Sequence, residues 1–112
     1  MILIIRQTAT PEQIEEMSLP YDGLMIKLAV DVSNEILAGG GELHADCEQV
    51  LLKAGSRQED IWGADWYPEV KRVGFESLIN IRPRQQNRSM EIQNPELRER
   101  IDTIVRQLME IE

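Results

Sequence analysis

The chain has 112 residues, of which 42% are hydrophobic and 29% charged, a composition that fits one globular domain over residues 1–112 and excludes wholesale disorder. Twelve basic and 20 acidic side chains give a net charge of −8, which disfavours nucleic acid and anionic membranes as partners. No apolar run approaches the roughly 18 to 20 residues needed to cross a bilayer, and the single cysteine, Cys47, cannot form an internal disulfide, so we expect a cytoplasmic protein.

The first 20 residues are predicted to form a strand followed by a short helix. Residues 2–6 are a short apolar run with β-branched side chains, which is typical of a buried strand. Thr10 and Gln13 have the spacing of a capping box around Pro11, which suits the first position of a helix. Pro20 ends this helix because proline cannot continue it.

Residues 24–32 have the alternating pattern of a strand. Leucine, isoleucine and valine occupy the even positions, whereas the odd positions are mixed. Ser33 and Asn34 suit a tight turn, and residues 36–38 suit a returning strand, so the segment predicts a β-hairpin. Three glycines at residues 39–41 end the hairpin.

An amphipathic helix is predicted over residues 43–54, and Gly55 suits a left-handed cap at its end. The apolar side chains that fall at helical spacing are Leu43, Cys47, Val50, Leu51 and Ala54. Residues 61–67 predict a strand in which Trp62 and Trp66 point to one side, as core or interface anchors.

The last part of the chain predicts a connection, a strand and a long helix. Residues 68–74 are the connection, and residues 75–82 are a strand that ends at Pro83. Asn94 can cap the final helix, and Pro95 suits its first position. We expect its apolar stripe to pack against the sheet; it consists of Leu97, Ile101, Ile104, Val105, Leu108 and Ile111.

The order of elements is therefore strand, helix, strand, strand, helix, strand, strand, helix. The hairpin-like connections favour antiparallel neighbours. We predict an α+β fold with a mainly antiparallel sheet of about five strands and two to three helices packed on one face. The pattern leaves the order of the strands open.

The segment around the single histidine is the first candidate site. His44 and Asp46 are residue types that bind divalent metals or act in acid–base catalysis, and Asp31 or Glu42 could orient the imidazole. On a helix, however, His44 and Asp46 lie about 200° apart and cannot face one ion. The usual zinc patterns are also absent. We therefore expect neither a transition metal nor a resident cofactor, and a polar first helical turn is the simpler interpretation.

The glycine turn before this helix is the second candidate. Gly40 and Gly41 could turn backbone N–H groups towards an anion, and a helix N-terminus favours negative charge. No P-loop lysine follows, and the neighbouring acids would repel phosphate. A simple structural turn is the alternative.

The third candidate is an arginine segment without acids. Arg82, Arg84 and Arg88 fall within it, and guanidinium groups bind carboxylate or phosphate through paired hydrogen bonds. We expect them to converge with the glycine turn on an anionic ligand. The alternative is that they pair with the protein's own acids. The candidates for that pairing are Glu42, Asp46 and Glu76.

Three motifs stand out along the chain: GGELHAD at residues 40–46, GSRQEDIWG at residues 55–63 and INIRPRxxNR at residues 79–88. Together they resemble a family of small single-domain bacterial proteins known only as a domain of unknown function. The resemblance brings no activity, substrate or cofactor. It implies that the motifs meet in space, in one site, a polar core or a subunit interface. The residues concerned are His44, Asp46, Arg82, Arg84 and Arg88.

We interpret the protein as a binding or accessory domain that associates with itself and accepts an anionic group of a small molecule or partner protein at the arginine segment. No specific catalytic pattern is present. One alternative is a small metal-dependent or acid–base hydrolase centred on His44, which requires acids within reach of that side chain at an open cleft. Another is a purely structural role, in which the charged clusters neutralise each other across a dimer.

Overall fold

The computed structural model describes residues 1–111, which contain five strands and three α-helices. In chain order these are β1 (Leu3–Ile5), α1 (Pro11–Ser18), β2 (Ile26–Asp31), β3 (Ile36–Gly39), α2 (His44–Lys53), β4 (Ile61–Tyr67), β5 (Arg72–Gly74) and α3 (Pro95–Met109). Short 3-10 helices lie at Leu19–Tyr21, Gln58–Asp60, Leu78–Asn80 and Pro83–Gln85. The longest helix of the described chain, α3, has 15 residues and is amphipathic, and no helix is long and apolar enough to cross a membrane.

The strands form one antiparallel sheet in the order β1-β3-β2-β4-β5. β2 and β3 are the predicted hairpin. β2 also pairs with β4 along its whole length, with Ile26 opposite Trp66 and Asp31 opposite Ile61. Trp62 and Trp66 lie on one face and are buried in the core, as predicted. The antiparallel five-stranded sheet and the α+β class are confirmed.

Alternation along β2 divides the core into two layers. Leu28 and Val30 pack with side chains of α1 and α3, whereas Ala29 packs with Cys47 and Leu51 of α2. Two helices therefore share one face, as predicted, but α2 covers the opposite face. The sequence pattern concealed this second layer because the odd positions of β2 mix alanine with charged residues.

The predicted helix starts and the predicted buried face of α3 are confirmed. Thr10 Oγ1 accepts a hydrogen bond from the N–H of Gln13 at 3.2 Å, and Gln13 Oε1 accepts one from the N–H of Thr10 at 2.9 Å. Asn94 Oδ1 accepts from the N–H of Leu97 at 3.0 Å. The buried side chains of α3 include Ile101, Ile104, Val105 and Leu108, whereas Leu97 is half-buried and Ile111 lies beyond the end of the helix.

The chain after β4 differs from the prediction. β5 lies within the predicted connection, and it extends the sheet by pairing with the last three residues of β4. Residues 75–82, predicted as a strand, form only two isolated bridges, Glu76 with Glu91 and Arg82 with Asn87, and the 3-10 helix Leu78–Asn80 lies between them. An alternating apolar pattern cannot distinguish a strand from an irregular segment that other groups hold in place.

Asn80 replaces a strand at the edge of β4. Its Oδ1 accepts a hydrogen bond from the N–H of Gly63 at 2.7 Å, and its Nδ2 donates to the carbonyl of Gly63 at 3.0 Å. The side-chain amide thus satisfies both backbone groups that a neighbouring strand would pair. Position 63 requires glycine, because a Cβ there would lie 2.5 Å from Cβ of Ser77.

The carboxylate of Asp31 holds the turn of the β2–β3 hairpin. It accepts hydrogen bonds from the N–H groups of Ser33 and Asn34, both at 3.0 Å, and from the hydroxyl of Ser56 at 2.6 Å. Burial raises the pKa of Asp31, but the hydrogen bonds from Ser56, Asn34 and Ser33 together lower it further. The pKa therefore lies below its ordinary value of 3.8.

Replacing Ile104 by alanine should leave a cavity between α3 and the sheet. We expect the free energy of unfolding, measured by urea denaturation, to fall by about 2 to 4 kcal/mol. Gln107→Ala, on the exposed face of the same helix, is the matched control and should change it by less than about 0.5 kcal/mol. Equal losses in the two variants would contradict the packing described above.

Replacing Asp31 by asparagine should alter the dependence of stability on pH. Because the folded-state pKa is lowered, the stabilisation is complete above the unfolded-state pKa and is lost as the pH falls through the folded-state value. The variant should lose about 1 to 3 kcal/mol near neutral pH and show a flatter decline in acid. Denaturation at a series of pH values tests this, with the exposed Asp22→Asn as control. A decline as steep as that of the unmodified protein would contradict the role of Asp31.

Candidate functional site

The buried face of α2 carries two polar side chains, His44 and Glu48, which lie one helical turn apart. Cys47 is buried as predicted, but Leu43 and Ala54, which the apolar stripe placed on the buried face, are exposed. The helix is rotated relative to the prediction because the two polar residues find partners elsewhere in the chain. Burial of a polar side chain is tolerated when its hydrogen bonds are made.

His44 joins the first turn of α2 to β4. Its Nε2 lies 2.8 Å from Oδ1 of Asp65 and 3.1 Å from the carbonyl oxygen of Ala64. Both neighbours are acceptors, so Nε2 carries a proton and donates it. The side chains of His44 and Asp65 are each 10% exposed. The other ring nitrogen, Nδ1, hydrogen-bonds to none of residues 1–111, and because no fully buried side-chain nitrogen or oxygen lacks a partner, Nδ1 reaches solvent.

The partner of His44 is thus an acid that the sequence did not indicate. Asp46 is exposed on α2, and neither Asp31 nor Glu42 contacts the imidazole. Asp65 lies 21 positions away along the chain. The sequence hints at Asp65 only because it is a charged residue within an otherwise apolar strand, and a buried charge requires a partner.

Arg82 makes the second buried contact with α2. Its Nη2 lies 3.1 Å from Oε2 of Glu48, and the two side chains are 11% and 8% exposed. Its Nε donates to the carbonyl of Ile79 and its Nη1 to that of Gln58, while the guanidinium lies 5.0 Å from the ring centre of Trp62. Burial lowers the pKa of Arg82, and the charge of Glu48 acts against this. Glu48, rather than any of the three acids considered from sequence, neutralises this arginine.

The other two arginines of the segment are placed differently. Arg84 and Arg88 are exposed, and neither forms an ion pair within residues 1–111. Arg84 lines a groove beside Arg82, whereas Arg88 lies outside the lining of that groove.

The glycine turn is buried beside other parts of the chain. Gly40 has φ +104°, and its N–H donates to the carbonyl of Lys27 at 3.3 Å. A Cβ at this position would lie 2.8 Å from the carbonyl oxygen of Met1. Gly41 packs against Ile2 and Cys47. Gly40 and Gly41 thus lie next to the N-terminal segment and α2. Arg82, in contrast, contacts Glu48 and residues of the 3-10 helices.

Two grooves adjoin the buried polar contacts and share Leu78 and Ile79. The smaller, about 350 Å³, is called the histidine groove and is lined by Lys27, Leu43, His44, Ala45, Asp65, Glu76, Ser77, Leu78, Ile79 and Met90. The larger, about 820 Å³, is called the arginine groove and is lined by Glu48, Gln58, Glu59, Leu78, Ile79, Ile81, Arg82, Pro83, Arg84 and Gln85. Four exposed apolar side chains form an apolar rim around them: Leu43, Leu78, Ile81 and Met90.

The N-terminus of α2 opens onto the histidine groove. Leu43 occupies the capping position, and no side chain accepts a hydrogen bond from the first turn. Ala45, in that first turn, lines the groove together with Lys27, whose ammonium group lies 5.3 Å from the ring centre of Tyr21. The N–H of Asp46 donates to the carbonyl of Leu43 at 3.1 Å, and the helix dipole makes this end of the groove suitable for negative charge.

The thiol and the acids of the described chain do not add a nucleophile or a metal centre here. Burial raises the pKa of Cys47 to about 11, so the thiol is protonated near neutral pH. Within residues 1–111, no three His, Cys, Asp or Glu side chains are grouped as ligands for a metal ion.

Replacing Arg82 by methionine should leave Glu48 buried without a counter-charge. We expect the free energy of unfolding to fall by about 3 to 5 kcal/mol. Adding Glu48→Leu to this variant should restore most of the loss, because the uncompensated charge is removed. Arg84→Met is the matched control. Denaturant unfolding measures all three, and an Arg82 variant as stable as the Arg84 variant would contradict a structural role for Arg82.

Comparison with protein families assigns nearly the whole chain to one family. A family model described as "Protein of unknown function (DUF5674)" matches residues 3–108 of the 112-residue chain. Neither the comparison with curated proteins nor the comparison with solved structures gives a match. The match includes all three motifs and confirms the resemblance to a small single-domain family. The chain therefore belongs to the DUF5674 family.

Proposed function

We propose that the protein is a binding domain for a small organic anion with an apolar body, and that the ligand lies in the histidine and arginine grooves. The apolar rim is the observation that carries the proposal. Its four side chains are between 42% and 71% exposed, yet they surround concave surfaces. Apolar groups exposed together beside a concave surface are typical of a binding site.

The dimensions and the depth of the grooves support a small ligand. Volumes of about 350 and 820 Å³ match the usual range of small-molecule sites, roughly 300 to 1,000 Å³. Beneath the rim, the His44–Asp65 and Glu48–Arg82 contacts give each groove a fixed polar wall. Such a combination of apolar lining and few polar groups can orient a ligand.

Basic side chains in both grooves offer places for an anionic group of the ligand, beside Asp65 and Glu76 in the histidine groove and Glu48 and Glu59 in the arginine groove. Arg84 lines the arginine groove without an acid partner in residues 1–111, and Lys27 lines the histidine groove. The chain as a whole has a net charge of −8 and repels anions from most of its surface. A cation beside exposed leucine and isoleucine therefore marks one place where an amphipathic anion is attracted.

A partner protein is the second occupant that the apolar rim would accept, and a second copy of the chain is one such partner. The self-association expected from the sequence stays a prediction, which sedimentation of the purified chain would test. The cytoplasmic location expected from the sequence and the bacterial source implied by the resemblance also stay predictions.

The binding of anilinonaphthalene sulfonate, which joins an anionic group to apolar rings, tests the proposed function. Leu78→Asp should weaken binding about tenfold by placing a like charge on the rim. Arg84→Glu should weaken it several-fold. Fluorescence titration gives the dissociation constants, and amide chemical shifts should change around Leu78 and Ile79.

Two control variants carry the same substitutions outside both grooves. Leu24→Asp matches Leu78→Asp, because the two leucines are 69% and 71% exposed. Arg6→Glu matches the charge reversal at Arg84. Binding that is absent from the native protein, or that weakens equally in test and control variants, would contradict the proposed function.

A further inference from the structure

His44 has the surroundings of a general base. A base of this kind needs one ring nitrogen fixed by an acceptor and the other open to the reacting group. Asp65 Oδ1, at 2.8 Å, and the carbonyl of Ala64, at 3.1 Å, fix the proton on Nε2. When the ring carries this one proton, its lone pair is on Nδ1, which is not fully buried although the side chain as a whole is only 10% exposed.

We infer that the histidine groove is a hydrolytic centre, in which His44 is the general base, Asp65 is its positioning residue and the substrate is an ester of an apolar carboxylic acid. The inference rests on the proposed function, because the substrate occupies the same groove and its carboxylate product is a small organic anion with an apolar body. It adds a reaction to the binding of the ligand.

Ester hydrolysis also requires stabilisation of the negative charge that develops on the carbonyl oxygen, and the same groove offers groups for this. Ala45 belongs to the uncapped first turn of α2, whose N–H groups face no side-chain acceptor. Lys27 supplies the one ammonium group of the same lining, which also holds the carboxylates of Asp65 and Glu76. Donors that are fixed before the reaction stabilise a tetrahedral oxyanion without having to rearrange.

The lining also indicates the substrate and the nucleophile. Leu78, Ile79 and Met90 provide an apolar surface for the acyl chain, in a groove of about 350 Å³. Ser77 is 2% exposed, and its hydroxyl accepts a hydrogen bond from the N–H of Ile79. Cys47 is fully buried. The nucleophile is therefore a water molecule from solvent.

The reaction is a hydrolysis that needs no oxidant or further reactant. Nδ1 of His44 removes a proton from water while the water oxygen bonds to the carbonyl carbon, and the carbonyl electrons move onto oxygen beside Ala45 and Lys27. The intermediate then re-forms the C=O bond and breaks the bond to the alcohol oxygen. The imidazolium returns its proton to that oxygen, which gives the alcohol and the carboxylic acid.

The hydrolysis of p-nitrophenyl butyrate by the full chain tests this inference. We expect a rate well above that of free imidazole at the same concentration and pH. His44→Gln should lower kcat by about 10² to 10⁴-fold, the usual contribution of a general base. Asp65→Asn should lower kcat about tenfold or more with KM nearly unchanged, because it removes the acceptor that fixes the tautomer. Asp46→Asn, which removes an exposed carboxylate two positions from His44, should leave the rate unchanged.

A second measurement separates positioning from folding. The imidazole ¹⁵N spectrum should show the proton on Nε2 in the native chain and a shift towards Nδ1 in the Asp65→Asn variant. Native hydrolysis no faster than free imidazole, or hydrolysis unchanged by both His44→Gln and Asp65→Asn, would overturn the inference.

Binding of anilinonaphthalene sulfonate to the same variants distinguishes this failure from a failure of the proposed function. Binding that is retained where hydrolysis is lost supports the inference. Binding to the native chain without hydrolysis overturns the hydrolytic centre and leaves the binding domain intact. A native chain that neither binds the probe nor hydrolyses the ester overturns both.

Discussion

Two buried polar contacts, one helical turn apart, fix α2 to the rest of the protein. His44 donates to Asp65 on β4, and Glu48 pairs with Arg82 on the segment that follows the sheet. Each of these groups would cost several kcal/mol if it were buried alone, so each requires its partner. This mutual requirement sets the rotation of α2 and leaves Leu43 at the surface. The grooves exist because the helix is held at these two points.

The segment after β5 is also held in place by buried polar groups that require hydrogen-bond partners. Asn80 satisfies both backbone groups of Gly63, and Asn87 donates to the carbonyls of Asn80, Ser89 and Glu91. Side-chain amides thus replace the backbone pairing of a strand. In the motif at residues 79–88, the asparagine and arginine side chains that face inward fix the backbone. The residues between them face outward. These outward side chains, which include Ile81 and Arg84, supply the arginine groove.

Stability and the proposed chemistry depend on the same residues at this site. Asp65 satisfies a buried imidazole, and the same hydrogen bond leaves Nδ1 as the open nitrogen. A variant that loses activity therefore needs a separate measurement of folding before it is interpreted. Arg82 and Arg84 show the contrast most directly: one guanidinium is buried among acceptors, and the other is exposed at the rim of the groove.

Local spacing in the sequence was sufficient for the helix starts at Thr10 and Asn94, the β2–β3 hairpin, the strand β4 and the buried face of α3, because capping, turns and alternation act between near neighbours. The candidate site depended on residues that are far apart. His44 and Asp65 are 21 positions apart, and Glu48 and Arg82 are 34 apart, so only the packing of α2 against β4 and the segment after β5 brings each pair together. Tertiary contacts also explain why residues 75–82, predicted as a strand, form an irregular segment. Its backbone needs no strand partner once the amide of Asn80 has satisfied Gly63.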